Sequence, residues 1–196
     1  MRHTLYSSLE GNFMPLHKDH ASIKILSPED IHKYMDPLSD ILVKSVHAGA
    51  AIRFVMPFTK MDARAYWWNE ILPAVQTGQH ILFAAFENNI PVGTVQLIQE
   101  MPSNQPHRCE VSKLMVHPDH RRKGIAGELM HALETHANVA KRSLITLDTR
   151  TGDIAESFYK SLGFTQAGVI PNFALNPDGK AFHGTTYMYK ELATHA

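Results

Sequence analysis

The order of apolar and polar positions along the chain predicts alternating strands and helices. Short apolar or alternating runs predict strands, whereas apolar residues at three- and four-residue spacing predict helices with one buried face. Strands are predicted at 22–27, 80–86, 91–100, 108–117, 143–148, 164–170 and 185–191. A short helical turn is predicted after Ser27, and longer helices at 37–47, 62–76, 124–141 and 153–162. This order indicates a mixed α/β or α+β domain with about seven strands and about four helices.

Capping and breaking residues indicate where several of these elements begin and end. Ser27-Pro28 is a typical N-cap followed by a proline at the first helical position, and Asp36-Pro37 repeats the signal. Pro73 is expected to kink or end its helix, and Gly78 to close it. The segment 171–184, rich in Pro, Asn and Gly, is predicted to be a loop between the last two strands.

The composition supports one folded domain and excludes several classes of protein. Of the 196 residues, 44% are hydrophobic, which is enough to build a core and excludes overall disorder. We expect a single domain over 21–196, preceded by an N-terminal extension over 1–20 that shows no clear period. Nineteen Lys and Arg balance nineteen Asp and Glu, so no bulk positive field exists to bind nucleic acid.

The cysteine count and the lengths of the apolar runs bear on location. Cys109 is the only cysteine, which excludes an intrachain disulfide, argues against a cysteine zinc site and agrees with a reducing compartment. No apolar run reaches the length of a signal peptide or of a membrane span. We therefore expect a soluble cytoplasmic protein.

The most informative segment, LMVHPDHRRKGIAG, joins a predicted strand to the helix that begins at Gly124. The first amides of a helix have no partners inside it, and with the helix dipole they form an anion site. Small residues at 124, 126 and 127 let a ligand approach the backbone, and Arg121, Arg122 and Lys123 add positive charge. We predict that a phosphate or pyrophosphate group binds at 121–127.

The common nucleotide-binding motifs are absent from this segment, but another motif matches. There is no P-loop string, and the glycines do not match a dinucleotide fingerprint. The spacing Arg121-x-x-Gly124-x-Ala126 resembles the acetyl-CoA motif of the GNAT N-acetyltransferases, (Gln/Arg)-x-x-Gly-x-(Gly/Ala). The preceding strand, KLMVHP, and the amphipathic helix that follows resemble the context of that motif. Taken alone, the motif is also compatible with a helix that begins at a glycine after a basic turn.

A second string further along the chain resembles the same family. The segment AESFYKSLGF resembles the family's second motif, in which a tyrosine commonly lies near the thioester sulfur and can protonate the leaving thiolate; Tyr159 falls on that position. The family often has Asn where this chain has Gly152. The strings EVSKLMV, LDTRTGDIAESFY and PNFALNPDGKAFHGTTYMYK resemble the tabtoxin-resistance branch of the family, as do VHAGA and AYWW nearer the N-terminus.

The resemblance implies a fold, a donor and a set of contacts. It implies a GNAT fold, whose central and mostly antiparallel sheet is splayed at the acetyl-CoA site, and direct acetyl transfer from acetyl-CoA to an amine without a metal. It implies that acetyl-CoA, the donor, is bound by Leu114, Met115, Val116, Arg121, Arg122, Lys123, Gly124, Ile125, Ala126, Gly127 and Ser157. His47 and Trp67 are assigned to the acceptor, although only one of the consecutive Trp67 and Trp68 can face it. The loop 171–184 and the helices at 37–50 and 62–77 are expected to shape the acceptor pocket.

Acetyl transfer requires a base, because an amine with a pKa of about 10.4 is mostly protonated at pH 7. The resemblance makes Glu110 and Asp148 the candidate bases. The alternatives are a solvated charge at a strand start for Glu110, and a cap on the turn LDTRTG for Asp148. A backbone N–H at Met115 or Val116 is expected to bind the developing oxyanion. Cys109, whose side chain should point to the opposite face from that of Glu110, is expected to be a packing residue.

Three functions are compatible with these residues. The first is an N-acetyltransferase that acts on a primary amine of a small molecule, either a toxin or antibiotic or an amino-acid-like metabolite. The others are an acyl-CoA sensor or inactive interaction module, and an acetyltransferase for protein amines. We expect a small-molecule partner, neither nucleic acid nor membrane, and leave open whether two copies form a homodimer.

Overall fold

The computed structural model describes residues 21–193, which fold into one seven-stranded sheet with five helices. The strands are β1 Ser22–Ile25, β2 His80–Glu87, β3 Ile90–Ile98, β4 Arg108–Val116, β5 Leu144–Arg150, β6 Thr165–Leu175 and β7 Phe182–Glu191. The helices are α1 Pro28–Lys33, α2 Met35–His47, α3 (Lys60–Tyr66, Trp67–Ile71 and Leu72–Gln76 in succession), α4 Ile125–Val139 and α5 Ile154–Ser161. The predicted α+β class is confirmed. The extension over 1–20 lies outside the described residues.

The sheet opens between its two central parallel strands. Its order is β1-β2-β3-β4-β5-β7-β6, and every neighbouring pair is antiparallel except β4 and β5. These two strands pair only from Arg108 opposite Leu144 to Glu110 opposite Thr146. Beyond Glu110 they separate, so the sheet is splayed as expected.

The two faces of the sheet bury separate apolar clusters. On one face α4 and α5 pack over β2 to β5, with Leu129 and Leu133 fully buried. On the other face α1 to α3 cover the sheet from β1 only as far as Met115 in β4. In the described part of the chain, no helix covers β5, β7 and β6 on this second face, which leaves half of it open.

A bulge in β4 changes which side chains reach the open face. Thr94 pairs with Met115, but Gln96 pairs with Ser112, so β4 carries one extra residue between them. Lys113 lies in the bulge with φ 52°. An extra residue shifts the alternation of a strand by one, so side chains after the bulge reverse their faces relative to those before it.

The lone cysteine is a core residue. Cys109 is fully buried in the cluster beneath α4, and its Sγ lies 3.8 Å from the carbonyl oxygen of Leu144. Burial raises the pKa of its thiol to about 11. The thiol is therefore protonated at neutral pH, and it does not act as a nucleophile.

The helix predicted at 62–76 is observed over 60–76, and Pro73 does not end it: the amide of Leu72 bonds the carbonyl of Trp67 five residues back, and this π-helical turn is followed by helix as far as Gln76. One loop prediction is wrong in its extent. The segment 171–184 is mostly strand, because β6 runs through Pro171 to Leu175 and β7 begins at Phe182. β6 is an edge strand, where a proline is tolerated.

Replacing Gly93 with Ala is expected to destabilise the fold by about 1–3 kcal/mol through overpacking. A Cβ on Gly93 would lie 3.0 Å from the carbonyl oxygen of Met115 and 3.3 Å from the side chains of Ile125 and Leu129. The matched control is Gly168→Ala in β6, where nothing lies within 4 Å of the added Cβ. Urea unfolding measures both variants, and equal midpoints would contradict the expectation.

Candidate functional site

A cleft of about 800 Å³ lies beside the opening of the sheet, between the end of α2 and the beginnings of α4 and α5. All but one of the residues assigned to the donor line it: Leu114, Met115, Val116, Arg121, Arg122, Gly124, Ile125, Ala126, Gly127 and Ser157. The structure therefore brings together residues that are more than 40 positions apart in the chain. The exception among the assigned residues is Lys123.

The wall at the beginning of α4 fits an anionic group. Gly124 has φ 87°, the left-handed conformation that glycine adopts without strain, and nothing lies within 4 Å of the position of a Cβ. The amide of Gly127 bonds the carbonyl of Gly124 at 2.9 Å. The amides of Ile125 and Ala126 have no acceptor inside the helix, so they are available to a ligand. Arg121 is held beside them by a 3.1 Å hydrogen bond to the carbonyl of Val116.

Lys123 does not line the cleft, because its side chain forms an ion pair that fixes the basic turn. Its Nζ lies 3.0 Å from Oε2 of Glu87, which also bonds Nδ1 of His120 at 2.7 Å. Burial alone would raise the pKa of Glu87, but the hydrogen bonds from Lys123 and His120 outweigh it and lower that pKa. The basic turn is thereby fixed to β2, and the Arg121 and Arg122 side chains remain along the cleft.

Apart from Ser157, the opposite wall was not predicted from the sequence. It is formed by the end of α2, at Ser45, Ala48, Gly49 and Ala50, and by Arg150 with the first turn of α5. Ser45 is 1% exposed, and its hydroxyl has no hydrogen-bond partner among residues 21–193. A small polar residue on the buried stripe of an apolar helix was the available signal. Such a hydroxyl can bond an amide or carbonyl group of a ligand in the cleft.

Gly152 lies where the family often has Asn, and its backbone adopts a conformation that Asn can also reach. Gly152 has φ 77°, a region open to glycine and reached more readily by Asn than by most other residues. Its amide donates to Oε2 of Glu156 at 3.0 Å, at the start of α5. With glycine at this position, the chain lacks the Asn side chain that the family often has, and it lacks the contact which that side chain makes.

The two candidate bases lie on the open face of the sheet, and neither lines the cleft. Glu110 is paired through Oε2 with a guanidinium nitrogen of Arg108 at 3.3 Å. Asp148 is exposed and lies opposite Tyr187 within paired strands. The alternative role for Asp148, capping a turn, is wrong because β5 continues to Arg150.

Tyr159 is buried beside the cleft and does not line it. Its ring lies between those of Phe158 and Phe164, with centroids 5.5 Å and 5.7 Å away. Burial raises the pKa of Tyr159 far above its usual value, and the nearby charge of Asp148 raises it further. The phenol therefore keeps its proton at neutral pH and can donate it in a hydrogen bond.

The structure corrects the assignment of Trp67 to the acceptor. Trp67 is fully buried between α3 and the sheet, packed against Tyr66, so it has no surface to offer a ligand. Its neighbour Trp68 is 54% exposed, but it lies in a separate shallow groove beside Met61. His47 does not line the cleft either: its Nε2 is 2.8 Å from the carbonyl of Phe58 and ties α2 to the following loop.

Neither a metal-binding group nor a membrane-spanning helix is found within residues 21–193. No three His, Cys, Asp or Glu side chains there are placed to hold a metal ion. No helix in that range combines the length and the apolar character needed to cross a bilayer.

Comparison with known proteins gives one family match and many similar folds. Residues 50–164 match the acetyltransferase (GNAT) family. An N-acetyltransferase from Staphylococcus aureus Mu50 superposes with a TM-score of 0.71 at 19% identity, over 89% of this chain and 100% of that one. A putative acetyltransferase from Salmonella typhimurium, solved with its cofactor acetyl-CoA, gives 0.71 at 20% identity, over 91% and 97%. An aminoglycoside 6'-acetyltransferase type Ii gives 0.66 at 20% identity, over 89% and 99%.

Proposed function

The chain belongs to the acetyltransferase (GNAT) family, and on that premise we propose that it transfers the acetyl group of acetyl-CoA directly to a primary amine of a small molecule. The acceptor in this proposal is a toxin or antibiotic, or an amino-acid-like metabolite. The observation that carries the proposal is the cleft, in which the free amides at the start of α4 meet the opening between β4 and β5. One wall suits phosphates, and the opposite wall includes Arg150, which lies in β5 two residues from Asp148.

The cleft residues would bind the donor at two of its groups, the pyrophosphate and the carbonyl of the acetyl group. Arg121, Arg122 and the first amides of α4 would bind the pyrophosphate. Beyond Glu110, the edge of β4 that faces β5 has no strand to bond, so alternate amides near Met115 and Val116 are available. One of them would bind the carbonyl oxygen of the acetyl group as negative charge develops on it.

The transfer takes two protons from an ammonium group and supplies one to the sulfur. Asp148 or Glu110, directly or through water, would accept the first proton and leave a neutral amine. The amine nitrogen then forms a bond to the acetyl carbon, the carbon–sulfur bond breaks, and the nitrogen loses its second proton to water, which replaces the proton that the sulfur receives. Tyr159, which keeps its own proton, would donate a hydrogen bond or the proton itself to the departing sulfur. No covalent acyl-enzyme is needed.

Replacing Tyr159 with Phe is expected to slow acetyl transfer roughly 10²-fold or more while leaving acetyl-CoA affinity nearly unchanged. The ring packing between Phe158 and Phe164 is kept, because only the hydroxyl is removed. Single-turnover acetyl transfer measures the rate, and titration calorimetry measures the affinity. A Phe variant with the turnover of the wild type would eliminate the donor role of Tyr159.

We further propose a placement within the family, a location in the cell and a homodimer. The strings EVSKLMV and LDTRTGDIAESFY support a placement in the tabtoxin-resistance branch. The single buried cysteine agrees with a cytoplasmic location. A homodimer through β6 is supported by the free edge of that strand and by its exposed Val169, Ile170 and Phe173.

The experiment that tests the proposed function is thiol release from acetyl-CoA in the presence of a panel of amines. The panel contains amino acids, dipeptides, polyamines, aminoglycosides and lysine peptides. Release that depends on both protein and a small amine supports the proposal, whereas release with lysine peptides alone favours a protein-amine acetyltransferase. Thermal stabilisation by acetyl-CoA without release from any amine favours a sensor. No stabilisation by acetyl-CoA overturns the assignment of the cleft.

A further inference from the structure

The open half of the sheet face carries charged groups that the donor cleft does not use. Glu110, Lys113 and Asp148 lie on the neighbouring strands β4 and β5, on either side of the opening. Arg53 lies in the α2–α3 loop and Glu70 in α3. Both are close enough for their charges to shift the pKa of Lys113. Leu114, which follows Lys113, and Arg150, two residues after Asp148, line the cleft, so we expect an acceptor approaching the acetyl group to meet these charges.

Among these groups, one cation and one anion have no ion-pair partner in the described part of the chain. Glu70 is paired with Arg53, and Glu110 with Arg108. Lys113 and Asp148 form no ion pair with any side chain of residues 21–193, and the Lys113 Nζ makes only a long 3.4 Å contact with Oγ of Ser112. Two opposite charges, one on each side of the opening, are therefore left for a ligand.

Lys113 is held where a carboxylate would stabilise it. The bulge places it in the left-handed region, beside the polar face. Burial lowers its pKa, and so does the positive charge of Arg53; Asp148, Glu70 and Glu110 offset this only in part. A half-buried ammonium group without a bonded anion is poorly compensated, and an anionic group brought by a ligand would stabilise it.

Resting on the proposed function, we propose that the acceptor is an amino-acid-like zwitterion, whose carboxylate binds Lys113 and whose amine lies against Asp148. Lys113 is then the residue that determines specificity, because it distinguishes an amino acid from an amine that lacks the carboxylate. Asp148 binds the ammonium form and is placed to accept its proton. The alternative is that Lys113 only balances the surrounding carboxylates, in which case it does not affect which amine is used.

The test compares amino acids with their primary amides, which differ only in the carboxylate. The panel covers amine–carboxylate spacings from α- to ε-amino acids, and thiol release gives kcat and KM for each pair. The proteins are the wild type, Lys113→Met, Lys113→Arg and, as a matched control, Lys24→Met at the far edge of the sheet in β1. Met keeps the length of the side chain and removes the charge, and melting temperatures verify folding.

The wild type is expected to prefer at least one acid over its amide by about 10- to 100-fold in kcat/KM, the usual effect of a charged hydrogen bond. Lys113→Met should lose the preference through a rise in KM that is much larger for the acid than for the amide. Lys113→Arg should retain most of it, and Lys24→Met all of it. A merely structural role would instead change the acid and the amide equally.

Two results overturn the proposal, and they are distinguishable from failure of the proposed function. Equal use of acids and amides by the wild type, or a preference that survives in Lys113→Met, overturns the assignment of Lys113 while acetyl transfer stands. Absence of stabilisation by acetyl-CoA, measured on the same samples, overturns the proposed function together with the inference that rests on it.

Discussion

Replacing Gly124 with Asp is expected to abolish acetyl-CoA binding in a protein that still folds. At φ 87°, any side chain is strained, but Asp and Asn are the residues that tolerate this region best, at a cost of about 1 kcal/mol. No neighbouring atom obstructs the added Cβ. The Asp carboxylate would lie at the start of α4, where its charge repels the pyrophosphate and its oxygens compete for the same free amides.

The expected loss of acetyl-CoA affinity follows from the repulsion between the Asp carboxylate and the pyrophosphate. Two like charges about 4 Å apart repel by about 4 kcal/mol at an effective dielectric constant of about 20. That is roughly a thousandfold loss of affinity. Gly124→Asn is the matched control, because it has the same shape and the same backbone strain without the charge. Its loss of affinity is expected to be small by comparison.

Thermal unfolding with and without acetyl-CoA measures both effects. At 100 times its dissociation constant, the ligand should stabilise the wild type by about 2.7 kcal/mol. The Asn variant should show most of this stabilisation when the ligand is raised to compensate, and the Asp variant none. Equal stabilisation of the Asp and Asn variants would show that the phosphates bind elsewhere.

The cleft wall at the start of α4 could be predicted from the sequence because its determinants are local. The string from Arg121 to Gly127 combines the left-handed glycine, the free amides and the basic turn within one strand–helix junction. Its short-range geometry follows from the residue types alone. The opposite wall depends on where the end of α2 packs against the sheet. That is a long-range contact, which the local sequence around Ser45 does not show.

The side on which we propose that the acceptor binds was harder to predict because irregular backbone positions shape it. The π-helical turn adds a residue within α3, so a strict helical period does not reveal which of Trp67 and Trp68 is buried. The bulge in β4 likewise adds a residue to a strand, so strict alternation does not reveal which face of the sheet Lys113 occupies. A pattern with a fixed period cannot show such insertions, since they depend on pairing with a neighbouring element.

Asp148→Asn is expected to lower kcat by about 10²- to 10⁴-fold at neutral pH, the usual contribution of a positioned base. Glu110→Gln is the matched comparison, since it removes the other candidate carboxylate from the same face. We expect a smaller loss for Glu110→Gln, because its carboxylate already binds Arg108, whereas that of Asp148 pairs with no side chain of residues 21–193. The best amine of the panel serves as acceptor.

The pH dependence separates loss of a base from loss of binding. If Asp148 removes the proton, kcat of Asp148→Asn should rise with pH towards the amine's own pKa, since an amine that is already neutral needs no base. Loss of ammonium binding alone would instead raise KM and leave the shape of the kcat profile unchanged. If Glu110→Gln shows the larger loss and the rising profile, Glu110 is the base and Asp148 serves only to hold the acceptor amine.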